Sequence, residues 1–221
     1  FPYTTLFRSA DSVMPAAGKP VFYATPQPQT NLSMIWPGIN VHDPDHYAGI
    51  VMDYIFGGGG FSSRLMDEVR EKQGLTYGIS SGMTNLDHAD RYAVGGSMLP
   101  RNVKPTIDMV RKIAGDMMNT DVSAQELQAA KDYLTGSLPL HFSSSSAIAG
   151  TLVSLQLNDR PVTALDEFRD KINAVTPADI RRVARRIFGT EPMIVLVGAK
   201  PDAIEVETLT ALPNVTGDAP R

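Results

Sequence analysis

The 221-residue chain has no cysteine. That removes disulfide frameworks, thiolate metal sites and cysteine nucleophiles together. It also lacks any run of about 18 consecutive apolar residues, the length a membrane-crossing helix needs. An excess of positive charge is missing too. Twenty Lys and Arg against 24 Asp and Glu leave a net charge of −4, so no basic face advertises nucleic acid as a partner. Aromatic residues are sparse, at 7% with a single Trp, but hydrophobic residues reach 43% and charged residues only 20%. This is the balance of a globular chain with a sizeable core. The chain does not begin with methionine. Its first residues, Phe1-Pro2-Tyr3-Thr4-Thr5-Leu6-Phe7-Arg8-Ser9, lack the basic start and apolar stretch of a signal peptide. Residues 1–9 read as the translation of a sequencing-adapter oligonucleotide, with native sequence expected from about Ala10.

Residues 10–18 are small and weakly patterned and read as a linker. Val21-Phe22-Tyr23-Ala24 is a short apolar run, and Asn31 to Trp36 alternates before Pro37-Gly38, as a strand ending in a turn does. Asp43-Pro44 reads as an N-cap followed by proline at the first helical position. The helix carries Tyr47, Ile50, Val51, Tyr54 and Ile55 and ends at Gly57-Gly58-Gly59-Gly60. Ser62 and Ser63 are candidate caps for a second helix with Leu65, Met66 and Val69 as its stripe, and Gly74 is its expected left-handed C-cap. Tyr77 to Met83 predicts a strand with Tyr77, Ile79, Ser81 and Met83 on one face, followed by a hairpin loop at Asn85 to Asp90 and a strand from Arg91 to Leu99. Helices follow: one with Ile107, Val110, Ile113 and Met117, one opened by Ser123 to Glu126 with capping-box spacing, then 147–157, 162–175 and one capped by Thr176. Met193 to Val197 returns as a strand. From Pro201 periodicity is lost, and 201–221 is expected to be a disordered tail. Strands first, helices next and one strand back predict an α+β domain, a mostly antiparallel sheet covered by helices.

Several motifs invite chemistry and fail on geometry. His42-Asp43-Pro44-Asp45-His46 spells H-x-x-D-H, close to a zinc-protease H-x-x-E-H, in which two histidines one turn apart share a helix face. Pro44 places His42 before the helix, off the face of His46. The glycine run lacks the following Lys and Ser/Thr of a phosphate-binding loop and reads as a flexible turn, or as one wall of a cleft. His141 with Ser143 to Ser146 has no nucleophile elbow around it. Arg181, Arg182, Arg185 and Arg186 flank apolar Val183, Ala184 and Ile187, a solvated basic face beside a core stripe.

The most informative stretch is Gly58 to Ser81. Arg70 stands in the last turn of a helix and Tyr77 enters the next strand seven residues on. A helix folded back onto that strand can aim a guanidinium and a phenol into one space, where they could grip a peptide carbonyl or an oxyanion. Spacing alone favours a plainer account, with Arg70 serving the helix dipole and Tyr77 packing in the core beside Ile79.

Resemblance shifts that balance. The segment Leu65 to Ser80, with Arg70-Glu71-Lys72-Gln73-Gly74-Leu75-Thr76-Tyr77, closely resembles the C-terminal domain of the M16 peptidases, the pitrilysin, insulinase and mitochondrial processing peptidase family. The likeness continues in Lys131 to Leu140, in Ala174 to Pro177 and in Val183 to Arg186, and defines an M16 C-terminal-type domain over 19–200. It implies one α+β half of a clam-shell whose opposite half holds zinc, with the two halves on paired subunits in bacterial and mitochondrial versions. Tyr77 is then the catalytic donor to the scissile carbonyl. Arg70 orients the substrate backbone, and Gly58, Gly59 and Gly60 border the chamber. No residue here matches the family's metal ligands. The expected cofactor is therefore Zn2+ on a zinc-bearing M16 subunit or N-terminal domain, none is expected on this chain, and the chain alone should not hydrolyse peptides. Two other readings stand beside this one: a catalytically silent structural M16-like subunit, and a self-sufficient zinc enzyme using His42 and His46. The resemblance favours a periplasmic location.

Overall fold

The computed structural model describes residues 17–85 and 89–211. The adapter-like run 1–9, the linker up to residue 16, the middle of the 85–90 loop and the segment from 212 lie outside the described residues. Six strands form one sheet, β1 Val21–Ala24, β2 Thr30–Pro37, β3 Thr76–Thr84, β4 Arg91–Met98, β5 Met193–Gly198 and β6 Glu207–Leu209, in the order β3-β4-β2-β5-β1-β6. The pairings β3–β4, β4–β2 and β2–β5 are antiparallel, whereas β5–β1 and β1–β6 are parallel. The expected mostly antiparallel α+β sheet is thus present. The unpaired tail from Pro201 is corrected, because Glu207–Leu209 adds to the free side of β1. Three residues are too short a run for alternation to announce them.

Period-two patterning makes one face of the sheet. Leu32, Met34 and Trp36 are buried along β2, and Ile194 and Leu196 along β5, while Ser33, Ile35 and Val195 on the other face are only half-buried. The helices α1 His46–Asp53, α2 Val103–Asn119, α3 Ala124–Ser137, α4 Ser145–Leu157, α5 Ala164–Ala174 and α6 Pro177–Phe188 account for most of the helical layer. Ile107, Val110, Ile113 and Met117 of α2 are buried at the predicted spacing, as are Ile180, Val183, Ala184 and Ile187 of α6. Trp36, Phe56, Tyr92 and Phe188 interlock at the centre with ring centroids 4.7–6.4 Å apart, and Trp36 Nε1 donates to the Thr190 carbonyl at 3.0 Å.

Caps follow the sequence in part. At α6, Thr176 and Asp179 form a reciprocal capping box, with Thr176 Oγ1 accepting from Asp179 N–H and the Asp179 carboxylate from Thr176 N–H. At α3, Ser123 Oγ accepts from Glu126 N–H, but the Glu126 carboxylate turns away to a bidentate pair with Arg64 at 2.8 and 2.7 Å. The predicted start of α1 is corrected. Asp45, not Asp43, precedes the first helical residue, and Asp43 instead accepts from Asp45 N–H at 2.8 Å inside a turn containing Pro44. The α1 stripe is rotated as well: Val51, Met52, Ile55 and Phe56 face the core, while Tyr47 and Tyr54 lean on Phe168 and Tyr133.

Candidate functional site

Helix α1 does not stop at Asp53 but widens into π-helical turns over Tyr54–Gly58, and a second π-helical segment runs from Met66 to Lys72. Such widened turns recur at functional sites. The glycines between them are there for closeness. A Cβ on Gly57 would stand 2.5 Å from Ser81 Oγ, and one on Gly58 would stand 2.4 Å from Asp53 Oδ2. Gly60 adopts φ +58, which only glycine takes at no cost. Beneath this run Asp53 Oδ1 accepts from Ser81 Oγ at 2.6 Å and from Tyr92 Oη at 2.9 Å, tying α1 to β3 and β4. Burial raises the Asp53 pKa against both hydrogen bonds, and burial likewise pushes the Tyr92 phenol well above its ordinary value.

The second π-helical segment ends as the sequence predicts. Gly74 takes φ +60, its N–H reaching the Arg70 carbonyl at 2.9 Å and Leu75 N–H the Val69 carbonyl at 3.0 Å. The chain turns straight into β3, where register matters most. Thr76 pairs with Met98 and Ile79 with Gly96, three steps on β3 against two on β4. This is a β-bulge, which re-aims side chains. Thr76 and Ile79 both face the core, at 7% and 3% exposure, and Tyr77 is thrown outward to 89%. The expectation that Tyr77 shares the Ile79 face is corrected, and the bulge is the reason. Thr76 Oγ1 secures it by donating to the Ser97 carbonyl at 2.6 Å and accepting from Gly78 N–H at 3.2 Å. Gly96 admits it, since a Cβ there would stand 2.7 Å from the Gly78 carbonyl oxygen.

Arg70 and Tyr77 therefore line one open cleft of about 450 Å³ at the sheet edge, together with Gln29, Glu71, Ser97 and Arg101. The Arg70 guanidinium lies 4.8 Å over the Phe61 ring and donates to Glu71 Oε1 at 2.6 Å. Asn102 Nδ2 donates to the Leu75 carbonyl at 2.9 Å, bracing the turn from behind. Gly58, Gly59 and Gly60 do not line this cleft; the run leads to Phe61, the ring under the Arg70 guanidinium. Sequence reasoning missed Phe61, Arg101 and Asn102. The signal for the bulge was Gly78 and Gly96, glycines inside two strand patterns.

The histidine motif is dispersed. His42 sits in the turn before α1, and His46 is the first residue of the helix, only 6% exposed, with Nδ1 unpartnered. Burial, aided by nearby Arg160, lowers its pKa to about 4. With one ring sealed in and the other off the helix, these donors do not fit a zinc ion. Among the described residues no three His, Cys, Asp or Glu side chains converge. The arginine row of α6 is engaged internally: Arg181 with Asp121, Arg182 with Asp45 and Asp179, Arg186 with Asp43, and Arg185 with the Met118 carbonyl.

Fold and cleft together define an α+β domain with an open groove at the edge of its sheet and no metal-ligand cluster among the described residues. The family model described as peptidase M16 inactive domain matches residues 9–134, and the chain belongs to that family. An uncharacterized zinc protease of Streptomyces coelicolor is 27% identical over 195 residues, covering 88% of this chain and 42% of that protein. A protein of Helicobacter pylori named as a non-peptidase homolog is 33% identical over 103 residues, 46% of this chain and 23% of its own length. The crystal structure of a peptidase M16 inactive domain from Pseudomonas fluorescens matches with TM-score 0.74 and 28% identity over 90% of this chain and 48% of that one. The chain thus spans less than half the length of these relatives.

Proposed function

We propose that this chain is the substrate-binding, non-zinc half of an M16-type metalloendopeptidase, working opposite a zinc site on a partner domain or subunit. The observation that carries the reading is the pairing of exposed Tyr77 with Arg70 across one open cleft. A phenol held at a bulge keeps its O–H free to donate to a scissile carbonyl, and the donation strengthens as that oxygen gains negative charge. A guanidinium stacked on Phe61 loses little freedom on gripping a backbone carbonyl or a carboxylate. A zinc ion held by the partner would supply the activated water. A partner also suits α4, which carries no charged residue and leaves Ile148, Leu152, Val153 and Leu157 exposed, a patch of the kind that marks contact surfaces.

Reconstitution tests the reading. Neither half alone should cleave a peptide, the mixture should, and Arg70→Ala should raise KM of the mixture about 10-fold while kcat changes less. An unchanged KM contradicts the Arg70 assignment. The second reading, a silent structural subunit, is favoured by the H. pylori relative's description. It predicts a stable mixture without turnover.

A further inference from the structure

We infer that the substrate surface continues from the Arg70–Tyr77 cleft over Phe61 into a second pocket, and that this pocket takes a large apolar or aromatic side chain of the same extended peptide. The inference rests on the function just proposed and adds to it a determinant of sequence preference.

The second pocket, of about 580 Å³, opens between the end of α1 and the start of α3, with Tyr54, Ile55, Ser62, Ala129 and Tyr133 in its lining. Its size is that of a ligand site rather than a packing defect. The Tyr54 and Tyr133 rings pack 4.9 Å apart at 30°, and Tyr133 is 58% exposed, so one aromatic surface faces solvent unpaired. Ala129 leaves room below that ring. The acidic group in the lining, Glu126, is already neutralised by its two bonds to Arg64. The lining joins the two aromatic rings, Ile55 and Ala129 to the uncharged polar Ser62, Ser123 and Gln125; with its one charge spent, it favours a side chain such as Phe, Tyr, Leu or Met over a charged one.

The two concavities are joined by the chain itself. Ser62 of the second pocket follows Phe61, the ring on which Arg70 of the first cleft is stacked. The glycine run lies against the same wall: a Cβ on Gly59 would stand 2.5 Å from the Tyr54 carbonyl oxygen and 3.1 Å from its ring. The run therefore brings backbone, without side chains, against the Tyr54 wall of the second pocket and on to Phe61. An extended peptide crossing it would set alternate side chains toward the protein, one of them into the Tyr54–Tyr133 pocket while a backbone carbonyl is held at the first cleft.

The experiment is fluorescence anisotropy on the chain by itself, using fluorescein-labelled nonapeptides of Gly, Ser and Ala in which a single Phe is moved through every position. The inference predicts that Phe at one or two positions tightens binding about 10-fold, that Tyr133→Ala abolishes that gain, and that Tyr133→Phe keeps it. Arg70→Ala should weaken all peptides alike, whatever the position of Phe. A gain that survives Tyr133→Ala, or no dependence on position, overturns the second pocket while leaving the Arg70 cleft standing. A gain lost in Tyr133→Ala but with peptides indifferent to Arg70→Ala overturns the role of Arg70 and keeps the pocket. Failure of every peptide to bind contradicts both.

Discussion

The start of α1 and the start of β3 use polar side chains in opposite ways. At α1 the charged groups are consumed within the fold: Asp43 and Asp45 are held by Arg182 and Arg186, while the His46 ring is sealed against the core with its Nδ1 unpartnered. At β3 the groups are left over. Tyr77 stands almost fully in solvent, and among the described residues the one ion pair of Arg70 is with its own neighbour, Glu71. Both regions carry residues suited to catalysis. The difference lies in what the fold has already spent, and groups still unspent beside a cleft are the ones able to act on a ligand.

Acid should expose this contrast most strongly. His46 is neutral in the folded state down to about pH 4, against an ordinary value of 6.5. Below 6.5 the unfolded chain takes up a proton that the folded chain refuses, so stability is complete above that pH and declines as the pH falls toward 4. The decline amounts to up to about 3 kcal/mol. Urea midpoints of the wild type and His46→Leu, followed from pH 7 to about pH 4, should show the wild type losing stability relative to the variant as the pH falls; parallel curves contradict the burial of a neutral imidazole. Asp43 acts in a lower window. Arg186 holds its carboxyl below the usual range, so its contribution is present above the ordinary Asp pKa and is lost only as the pH falls through its depressed value.

The next effect sharpens the β3 side. Gly96→Ala puts a methyl 2.7 Å from the Gly78 carbonyl oxygen, so the bulge must move. Stability should fall by about 1–3 kcal/mol, and turnover of the reconstituted pair should fall further than that loss explains, since Tyr77 is re-aimed. Full turnover in a folded Gly96→Ala protein would detach the bulge from function. The smallest effect is on the α1 side. Arg186→Ala breaks partly exposed ion pairs with Asp43 and Asp45 and should cost about 0.5–1 kcal/mol, less in high salt. A loss several times larger would mean that the pairs act as a buried network.

Periodicity carried the parts of the fold that obey it. The stripes of α2 and α6, the alternation of β2 and the Gly74 cap were all legible, because burial of one face imposes a regular spacing. The irregular parts escaped. The bulge at Tyr77 breaks the period by one residue and turns a predicted core tyrosine into an exposed one. The α1 stripe is rotated from its first turn, since the helix begins after Asp45 rather than at Asp43–Pro44. β6 is too short to carry a pattern and exists because β1 offers it a free edge. At the site, Arg70 and Tyr77 could be named from their spacing and family likeness. Arg101 and Asn102 come to the cleft, and Phe61 to Arg70, through folding, so only the folded arrangement shows them as neighbours.

Tyr77→Phe in the reconstituted, zinc-loaded pair is the most direct test. The phenol is 89% exposed, so losing its oxygen should leave folding and pairing intact. The account predicts a fall in kcat of about 10²–10³, as for loss of one oxyanion donor, with an unchanged melting temperature. An undiminished kcat would contradict it.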